Sequence, residues 1–174
     1  MNITQYESFL SEELFLEVQK FVKGLITDNE KPLSTNFGKW QKELINASTP
    51  ILIYVFKSDE IDLLQKIKKE VEIKIPYRVT NIVVHMMPKL SYIPWHDDGH
   101  VKAALSLYLN ETWDTDWGGV FMYKTDKDIR AVEPKRNLGV FQYSGTQHCV
   151  TTVNMDAEYR LSLQFFLEKE KQII

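Results

Sequence analysis

The sequence predicts a mainly β fold, an antiparallel sandwich or jelly roll, with supporting α-helices in its N-terminal part. Three observations lead to this prediction. Apolar residues recur at helical spacing only in about the first 75 residues. After Pro76 the chain contains many short, evenly spaced strand-like segments separated by turn formers. No helical pattern lies between those segments, which is typical of antiparallel β architectures.

The first predicted helix is defined by a cap and an apolar stripe. Ser11 can cap it, because its hydroxyl can accept a hydrogen bond from a free backbone amide of the first turn. Glutamates follow at positions 12 and 13, where the positive end of the helix dipole favours negative charge. Its apolar stripe comprises Leu14, Val18, Phe21, Val22 and Leu25.

A second helix is predicted to begin at the cap Ser58, with acidic residues 59 and 60 in its first turn. Its buried side comprises Ile61, Leu64, Ile67 and Val71. Between the helices lies a polar stretch from about Asp28 to Thr49, which could hold a short helix at Trp40–Ile45. The apolar run Ile51–Phe56 is predicted to be a short strand.

Seven further strands are predicted after Pro76. They fall near Val79–Met87, Tyr92–Asp98, Lys102–Leu109, Val120–Tyr123, Leu138–Tyr143, His148–Val153 and Tyr159–Leu167. Because side chains alternate along a strand, Lys102–Leu109 and Tyr159–Leu167 each have one leucine-rich face and one more polar face. A jelly roll explains both, with the leucine faces under the helices and the polar faces lining the mouth of the barrel. No repeat, low-complexity tract or linker is present, which predicts one domain.

Composition narrows the class of protein. Hydrophobic residues make up 44% and charged residues 26%, as in ordinary globular domains. A formal net charge of −3 disfavours a nucleic-acid-coating protein, which would need a basic stripe. The only cysteine, Cys149, excludes an internal disulfide and fits a reducing compartment. We see no signal peptide and no apolar run long enough for a bilayer, so a cytoplasmic location without membrane contact is expected.

The most informative motif is His96-Asp97-Asp98, followed much later by His148. Alternation in a strand puts His96 and Asp98 on one face and Asp97 on the other, so Asp98 is the expected metal ligand. Two histidines and one carboxylate can hold Fe(II) and leave positions open for oxygen and a co-substrate. The alternatives are an exposed polar pair in the strand and a hydrogen-bonded structural histidine at 148.

Arg160 stands on the polar face of the last predicted strand. Burying it without an anionic partner would be costly. A dicarboxylate ligand would provide that partner, gripped by the planar guanidinium with help from the hydroxyls of Ser162 and Tyr108. The alternative is a surface ion pair with Glu158 or Asp156. If another cation held the ligand, the candidates would be Lys102, Lys124 and Arg136.

Other conspicuous residues receive weaker assignments. We assign no role to His85, which could face the pocket from a neighbouring strand, or to His100. Cys149 is expected to be a small buried hydrophobic residue rather than a metal ligand. Four aromatic residues could line a substrate groove or could simply pack: Tyr92, Trp95, Trp113 and Trp117.

An ordered set of motifs spans roughly Val79 to Leu167. It comprises Tyr92–Asp98, Leu107–Asn110 with Trp113, Trp117–Val120, Val132–Pro134, Leu138–Phe141, His148 and Arg160–Leu163. In this order the chain resembles the Fe(II)/2-oxoglutarate-dependent oxygenases, in their prolyl 4-hydroxylase-like branch. The Tyr-Leu-Asn-x-x-Trp stretch and the following Gly-Gly are similar to the hypoxia-sensing prolyl hydroxylases. In one departure, Met86-Met87 stands where relatives often place a pocket tyrosine before a Pro-Gly turn.

The resemblance implies a double-stranded β-helix (jelly roll) and a single oxygenase domain over residues 1–174, helical at about 1–75 with a jelly-roll core at about 76–168. It implies that His96, Asp98 and His148 bind iron, and that Arg160 and Tyr108 bind the distal carboxylate of 2-oxoglutarate. The implied reaction consumes O2, releases succinate and CO2, and hydroxylates a C–H bond. Ascorbate is expected to stimulate it.

The leading hypothesis for the substrate is a prolyl residue in a peptide or protein. The same chemistry on free proline, another amino acid or a small metabolite is the nearest alternative. Asp98 leaves no ligand position for chloride, so hydroxylation is favoured over halogenation. A nucleic-acid substrate is not expected, because the demethylases of this superfamily carry a second arginine-bearing pattern after the distal histidine, and only Arg160–Leu163 is found here. Two hypotheses assign the chain to other functional classes: a non-catalytic jelly-roll binding module and a jelly-roll isomerase.

Overall fold

A computed structural model describes residues 3–27, 34–35, 49–56 and 61–169, with only the backbone given at 34–35. Within those ranges the chain forms eleven strands and two α-helices. The helices are α1 (Glu12–Thr27) and α2 (Asp62–Lys74). The strands are β1 (Ile3–Tyr6), β2 (Ser34–Thr35), β3 (Leu52–Val55), β4 (Arg78–Pro88), β5 (Ile93–His96), β6 (Ala103–Tyr108), β7 (Phe121–Lys124), β8 (Ile129–Val132), β9 (Gly139–Tyr143), β10 (His148–Val150) and β11 (Tyr159–Glu168).

The strands form two antiparallel sheets. The larger has the order β1-β9-β6-β11-β4-β3-β2, and the smaller has the order β5-β10-β7-β8. Neighbours in the sheets are mostly distant in sequence, as when β11 pairs with both β4 and β6. This arrangement confirms the predicted mainly β class with N-terminal helices.

The larger sheet has an apolar face covered by the helices. Leucines of β6 and β11 pack there with Phe15 and Val18 of α1 and with Ile67 and Val71 of α2. A fully buried leucine or phenylalanine contributes roughly 1.5–3 kcal/mol to folding, so this layer anchors the helices to the sheet. The opposite face lies in a second apolar cluster, which includes Phe121 of the smaller sheet. The predicted division of faces is therefore confirmed.

The first helix follows its predicted pattern. The Ser11 hydroxyl accepts a hydrogen bond from the Leu14 amide at 3.4 Å. All of the predicted stripe is buried except Phe21, which is half-buried. The start of the second helix was predicted wrongly. It begins at Asp62, after an extended Ile61 that makes no side-chain cap hydrogen bond, and Asp62 is the acidic residue of its first turn.

The expected cap Ser58 and the short helix at Trp40–Ile45 lie outside the described residues. All eight predicted strands are present, with shifted ends. Three strands were not predicted, namely β1, β2 and β8. Residues 129–131 of β8 are exposed, so no apolar alternation marks this edge strand. In the described part of the chain, no helix is both long and apolar enough to cross a bilayer.

Candidate metal centre and anion pocket

The two sheets enclose a cavity of about 530 Å³. His96, Asp98 and His148 line it, and so does Arg160. The smaller sheet contributes the two histidines, whereas Arg160 comes from β11 of the larger sheet. The residues predicted from distant parts of the sequence therefore meet around one internal space.

Strand pairing brings the histidines together. His96 ends β5 and His148 begins β10, and the two are direct partners in the antiparallel register. Their ring centroids are 4.2 Å apart. The Phe121 ring stacks on His148 at 5.2 Å between centroids, which limits rotation of that imidazole.

Asp98 completes the group, although not for the reason predicted. β5 ends at His96, so Asp98 lies in the following turn rather than in a strand. Ligand atoms of His96, Asp98 and His148 nevertheless all lie within 4.8 Å of one another. Asp97 also lines the cavity but does not belong to this group, and its carboxylate accepts hydrogen bonds from the Gly99 amide at 2.9 Å and from Gln147 Nε2 at 2.8 Å.

Backbone carbonyls orient both imidazoles. Nδ1 of His96 lies 2.8 Å from the Pro94 oxygen, and Nδ1 of His148 lies 2.8 Å from the Thr146 oxygen. A carbonyl can only accept, so each Nδ1 carries the hydrogen and each Nε2 keeps its lone pair. Burial lowers the pKa of His148, and the nearby His96 lowers it further. Both effects favour the neutral imidazole that a metal ion requires.

The sequence reasoning missed Gln142, which lies on β9 and is buried. Its Nε2 donates a hydrogen bond to Asp98 Oδ2 at 2.7 Å and lies 3.3 Å from His148 Nε2. The Asp98 and His148 atoms are themselves 3.7 Å apart. The available signal was a polar residue directly after the apolar run Leu138–Phe141, on a strand whose other residues are buried except for Tyr143.

Arg160 is 1% exposed. Its Nη1 lies 3.4 Å from the Met87 sulfur, and its guanidinium carbon lies 4.8 Å from the centre of the Tyr108 ring. Among the residues that the structure describes, no carboxylate lies within ion-pair distance of it, so the alternative of a surface pair with Glu158 or Asp156 is wrong. Burial lowers the pKa of Arg160.

Tyr108 and Ser162 lie beside Arg160. They are direct partners across β6 and β11, and both are fully buried. In the described part of the chain, the Tyr108 hydroxyl, the Ser162 hydroxyl and Arg160 Nε have no hydrogen-bond partner. Burial raises the pKa of Tyr108, so its hydroxyl keeps its proton. A buried cation beside two unused hydroxyls is costly unless an anion joins them, and a carboxylate would satisfy all three groups.

His85 extends this polar group. It lies opposite Ser162 on β4 and lines the cavity. Burial, and then the charges of Arg160 and His96, lower its pKa to about 3. The imidazole is therefore neutral near pH 7 and adds hydrogen-bonding capacity without charge.

The remaining predicted residues lie outside this arrangement or at its edge. His100 is exposed and lines the cavity, with its ring 5.7 Å from that of Phe166. Cys149 is buried, as expected, and burial raises its pKa. The cations considered as alternatives to Arg160 do not line the cavity; they are Lys102, Lys124 and Arg136. The four aromatic residues considered for a substrate groove do not line it either; they are Tyr92, Trp95, Trp113 and Trp117.

Two of those aromatic residues have a packing role. Trp113 and Trp117 pack against the inner core, and Trp113 Nε1 donates to the Gly118 oxygen at 3.0 Å. Trp95 is exposed and carries the Lys124 ammonium 4.8 Å above its ring. Trp113 and Trp117 therefore have the packing role that was the alternative to lining a substrate groove.

Fold and site together define a class, a jelly-roll protein with a candidate site for one metal ion and a buried basic pocket beside it. A family model described as the 2OG-Fe(II) oxygenase superfamily matches residues 82–168, which is half of the chain. The chain therefore belongs to the 2OG-Fe(II) oxygenase superfamily. This membership and the His-Asp-His group support Fe(II) and 2-oxoglutarate, and O2 follows from the reaction class. A search of curated protein sequences found no match.

Solved structures share the fold at low sequence identity. A prolyl-4-hydroxylase from Pseudomonas putida has 16% identity and a TM-score of 0.75, over 98% of this chain and 94% of that one. A prolyl hydroxylase from Trichoplax adhaerens, in complex with a hypoxia inducible factor oxygen degradation domain peptide fragment, has 17% identity and a TM-score of 0.81, over 97% and 84%. The alpha ketoglutarate dependent epimerase SnoN, from nogalamycin biosynthesis, has 12% identity and a TM-score of 0.71, over 97% and 78%. These similarities confirm the double-stranded β-helix.

Proposed function

We propose that this protein is a dioxygenase that hydroxylates a prolyl residue in a peptide or protein, with Fe(II), 2-oxoglutarate and O2. The observation that carries the proposal is a single cavity with a His-Asp-His group and a buried, unpaired arginine. Membership of the superfamily supports the reaction class. Structural similarity to prolyl hydroxylases supports the choice of substrate.

His96, Asp98 and His148 are proposed to hold the metal ion. The hydrogen bonds from Nδ1 of His96 and His148 to backbone carbonyls keep both rings in place and leave each Nε2 to face the metal ion. When bound, Fe(II) and 2-oxoglutarate would allow O2 to act as the oxidant: one oxygen atom would enter 2-oxoglutarate as it loses CO2 and becomes succinate, and the other would enter the C–H bond. A site with three protein ligands leaves room for these reactants.

Arg160, Tyr108 and Ser162 are proposed to bind the distal carboxylate of 2-oxoglutarate. A carboxylate would accept hydrogen bonds from the guanidinium and from both hydroxyls, and among the described residues Arg160 Nε and these two hydroxyls are buried polar groups without a hydrogen-bond partner.

The other wall of the cavity is proposed to receive the substrate. His100, Phe166 and Asn81 line the cavity away from Arg160. Apart from Arg160 and the histidines, the described residues of the lining that can carry a charge are Asp97 and Asp98. With Arg160 neutralised by the co-substrate, this wall suits an uncharged prolyl ring better than an anionic group. A cytoplasmic location is part of the proposal, because the only cysteine is unpaired.

The function is tested by coupling two measurements. Purified protein with Fe(II), 2-oxoglutarate and ascorbate is incubated with a library of proteome-derived peptides, and succinate release is followed. Modified peptides are identified by a mass gain of one oxygen atom and sequenced to locate it. We expect succinate in proportion to hydroxyproline, and loss of both without 2-oxoglutarate.

Other outcomes would redirect the proposal. Turnover with free proline or another small molecule, and not with peptides, would keep the chemistry and change the substrate class. Metal and 2-oxoglutarate binding without succinate release under any condition would favour a non-catalytic binding module. Omitting ascorbate measures whether it stimulates the reaction.

A further inference from the structure

Gln142 is a polar residue in buried surroundings. It lies on β9, a strand that pairs with β1 on one side and β6 on the other. It is 5% exposed and lines the cavity. Such a residue is normally retained only where its amide has a specific partner, because burying an amide costs free energy.

Its partner is the carboxylate of Asp98. The Nε2–Oδ2 distance of 2.7 Å is short for a nitrogen donor, as expected when the acceptor carries charge. The opposite orientation of the amide would place its oxygen against the carboxylate and would be repulsive. Gln142 Oε1 has no hydrogen-bond partner among the described residues, so the contacts of the amide are made by its nitrogen, the shortest of them to Asp98.

The hydrogen bond crosses from one sheet to the other. Gln142 belongs to the larger sheet, whereas Asp98 follows β5 of the smaller sheet. Asp98 lies in a turn, so strand pairing does not hold its side chain as it holds His96 and His148. A group on a paired strand is a more rigid support than a turn, and it can fix a ligand that the turn leaves free to rotate.

We propose that Gln142 is a positioning residue that orients the Asp98 carboxylate toward the metal ion. This inference rests on the proposed function. Its hydrogen bond occupies a lone pair of Oδ2 and favours binding through one carboxylate oxygen only, which preserves open positions for the reactants. The contact of Gln142 Nε2 with His148 Nε2, at 3.3 Å, is weaker than its hydrogen bond to Asp98. In this proposal it is lost when the Nε2 lone pair of His148 binds a metal ion.

The chain offers a matched control. Gln147 Nε2 donates to Asp97 Oδ2 at 2.8 Å, an equivalent amide–carboxylate bond on a carboxylate outside the metal group. Gln142→Met and Gln147→Met each remove the donor and preserve the length of the side chain. Binding of Co(II) to the purified, metal-free proteins is measured by titration, together with the visible absorption of the bound Co(II).

We expect Gln142→Met to weaken Co(II) binding by roughly 10–100-fold and to change its absorption spectrum, because the carboxylate is no longer oriented. Gln147→Met should leave both unchanged. Thermal unfolding of the metal-free variants separates this role from a structural one, which would lower the unfolding temperature without changing the spectrum of bound Co(II). Gln142→Asn is the second variant in case methionine disrupts folding, since it retracts the amide by about 1.5 Å.

Folded Gln142 variants that bind Co(II) as tightly as the wild type, with the same spectrum, would overturn the inference and leave the proposed function standing. Equal weakening by Gln147→Met would overturn it as well, because the effect would not depend on Asp98. A wild-type protein that binds no Co(II) would overturn both the inference and the proposed function.

Discussion

At the scale of single residues, Asp97 and Asp98 are adjacent in sequence and have different surroundings. Asp97 is exposed, and both of its oxygens accept hydrogen bonds from groups near the turn. Asp98 is half-buried and lies with His96 and His148. The two carboxylates therefore differ in what they can bind, although a substitution removes the same charge from each.

We predict that Asp98→Ala abolishes Fe(II) binding and turnover, because two histidines without the carboxylate make an incomplete site. Asp97→Ala should largely preserve both. Anaerobic Fe(II) titration and succinate release measure the two effects. The reverse result would assign the ligand role to Asp97 and would mean that the turn after β5 is arranged differently.

Arg160 is the other residue whose surroundings define its role. Its guanidinium lies between the Met87 sulfur and the Tyr108 ring, which provide little compensation for a buried charge. We predict that Arg160→Ala weakens 2-oxoglutarate binding by about 2–4 kcal/mol, roughly 30- to 1000-fold, without removing the metal ion.

Binding of 2-oxoglutarate to the Mn(II) protein by calorimetry checks this prediction. Lys124→Ala is the control, because Lys124 is an exposed cation that lies over Trp95. An unchanged affinity in Arg160→Ala would mean that another cation holds the co-substrate.

At the scale of elements, one turn holds the smaller sheet against the segment that follows β10. Gly118 forms a bridge with Val153, and the Gly119 amide donates to the Thr152 oxygen at 3.0 Å. Gly118 has a φ of +67°, and a Cβ atom there would lie 2.1 Å from the Thr152 oxygen. Only glycine fits both the backbone angle and the close approach.

We predict that Gly118→Ala lowers the free energy of unfolding by about 3 kcal/mol or more, because the backbone must shift to relieve the contact. Gly24→Ala is the matched control. A Cβ atom at Gly24 meets no described residue within 4 Å, and Gly24 lies inside α1. That substitution should raise the free energy of unfolding by about 0.4–1 kcal/mol. Urea unfolding measures both, and equal effects would contradict the argument.

At the scale of the whole molecule, the larger sheet separates two interiors of different character. One face is apolar and lies under the helices. The other contributes Arg160, His85 and Gln142 to the cavity, and all three are buried. The helical layer stabilises the sheet, and the sheet can then bury polar groups whose burial lowers the stability of the metal-free protein.

Stability should consequently depend on pH in the metal-free protein. Since burial first, and then Arg160 and His96, lower the pKa of His85 to about 3, the folded state excludes a proton that the unfolded state binds below pH 6.5. Stability is therefore full above that pH and falls as the pH drops toward 3. Between pH 6.5 and 5 the expected loss from this group is about 2 kcal/mol.

Urea unfolding of the metal-free protein at these two pH values measures the loss. His85→Gln, which cannot titrate there, should have a smaller pH dependence. An equal pH dependence in the variant would assign the effect to other groups, such as His148, whose pKa burial also lowers.

Sequence patterns predicted the strands and faces well, because alternation and helical spacing report burial directly. They did not predict β8, whose exposed residues carry no such signal. They placed the start of α2 too early, since the helix follows an extended Ile61 that makes no side-chain cap hydrogen bond, and a start without such a cap has no capping signal in the sequence. The expectation of one domain over residues 1–174 stays a prediction.

By itself, the sequence determined which residue types are available: two histidines and one carboxylate in an order typical of one family, and an arginine on a strand that is apolar on its other face. Only the tertiary structure decided that these groups share a cavity, that Asp98 reaches the histidines from a turn, and that Gln142 holds it from the other sheet. The physical reason is that alternation of side chains reports only on residues close together in one strand. The contacts in the cavity join residues far apart in sequence, and they depend on strand register and on how the two sheets face each other.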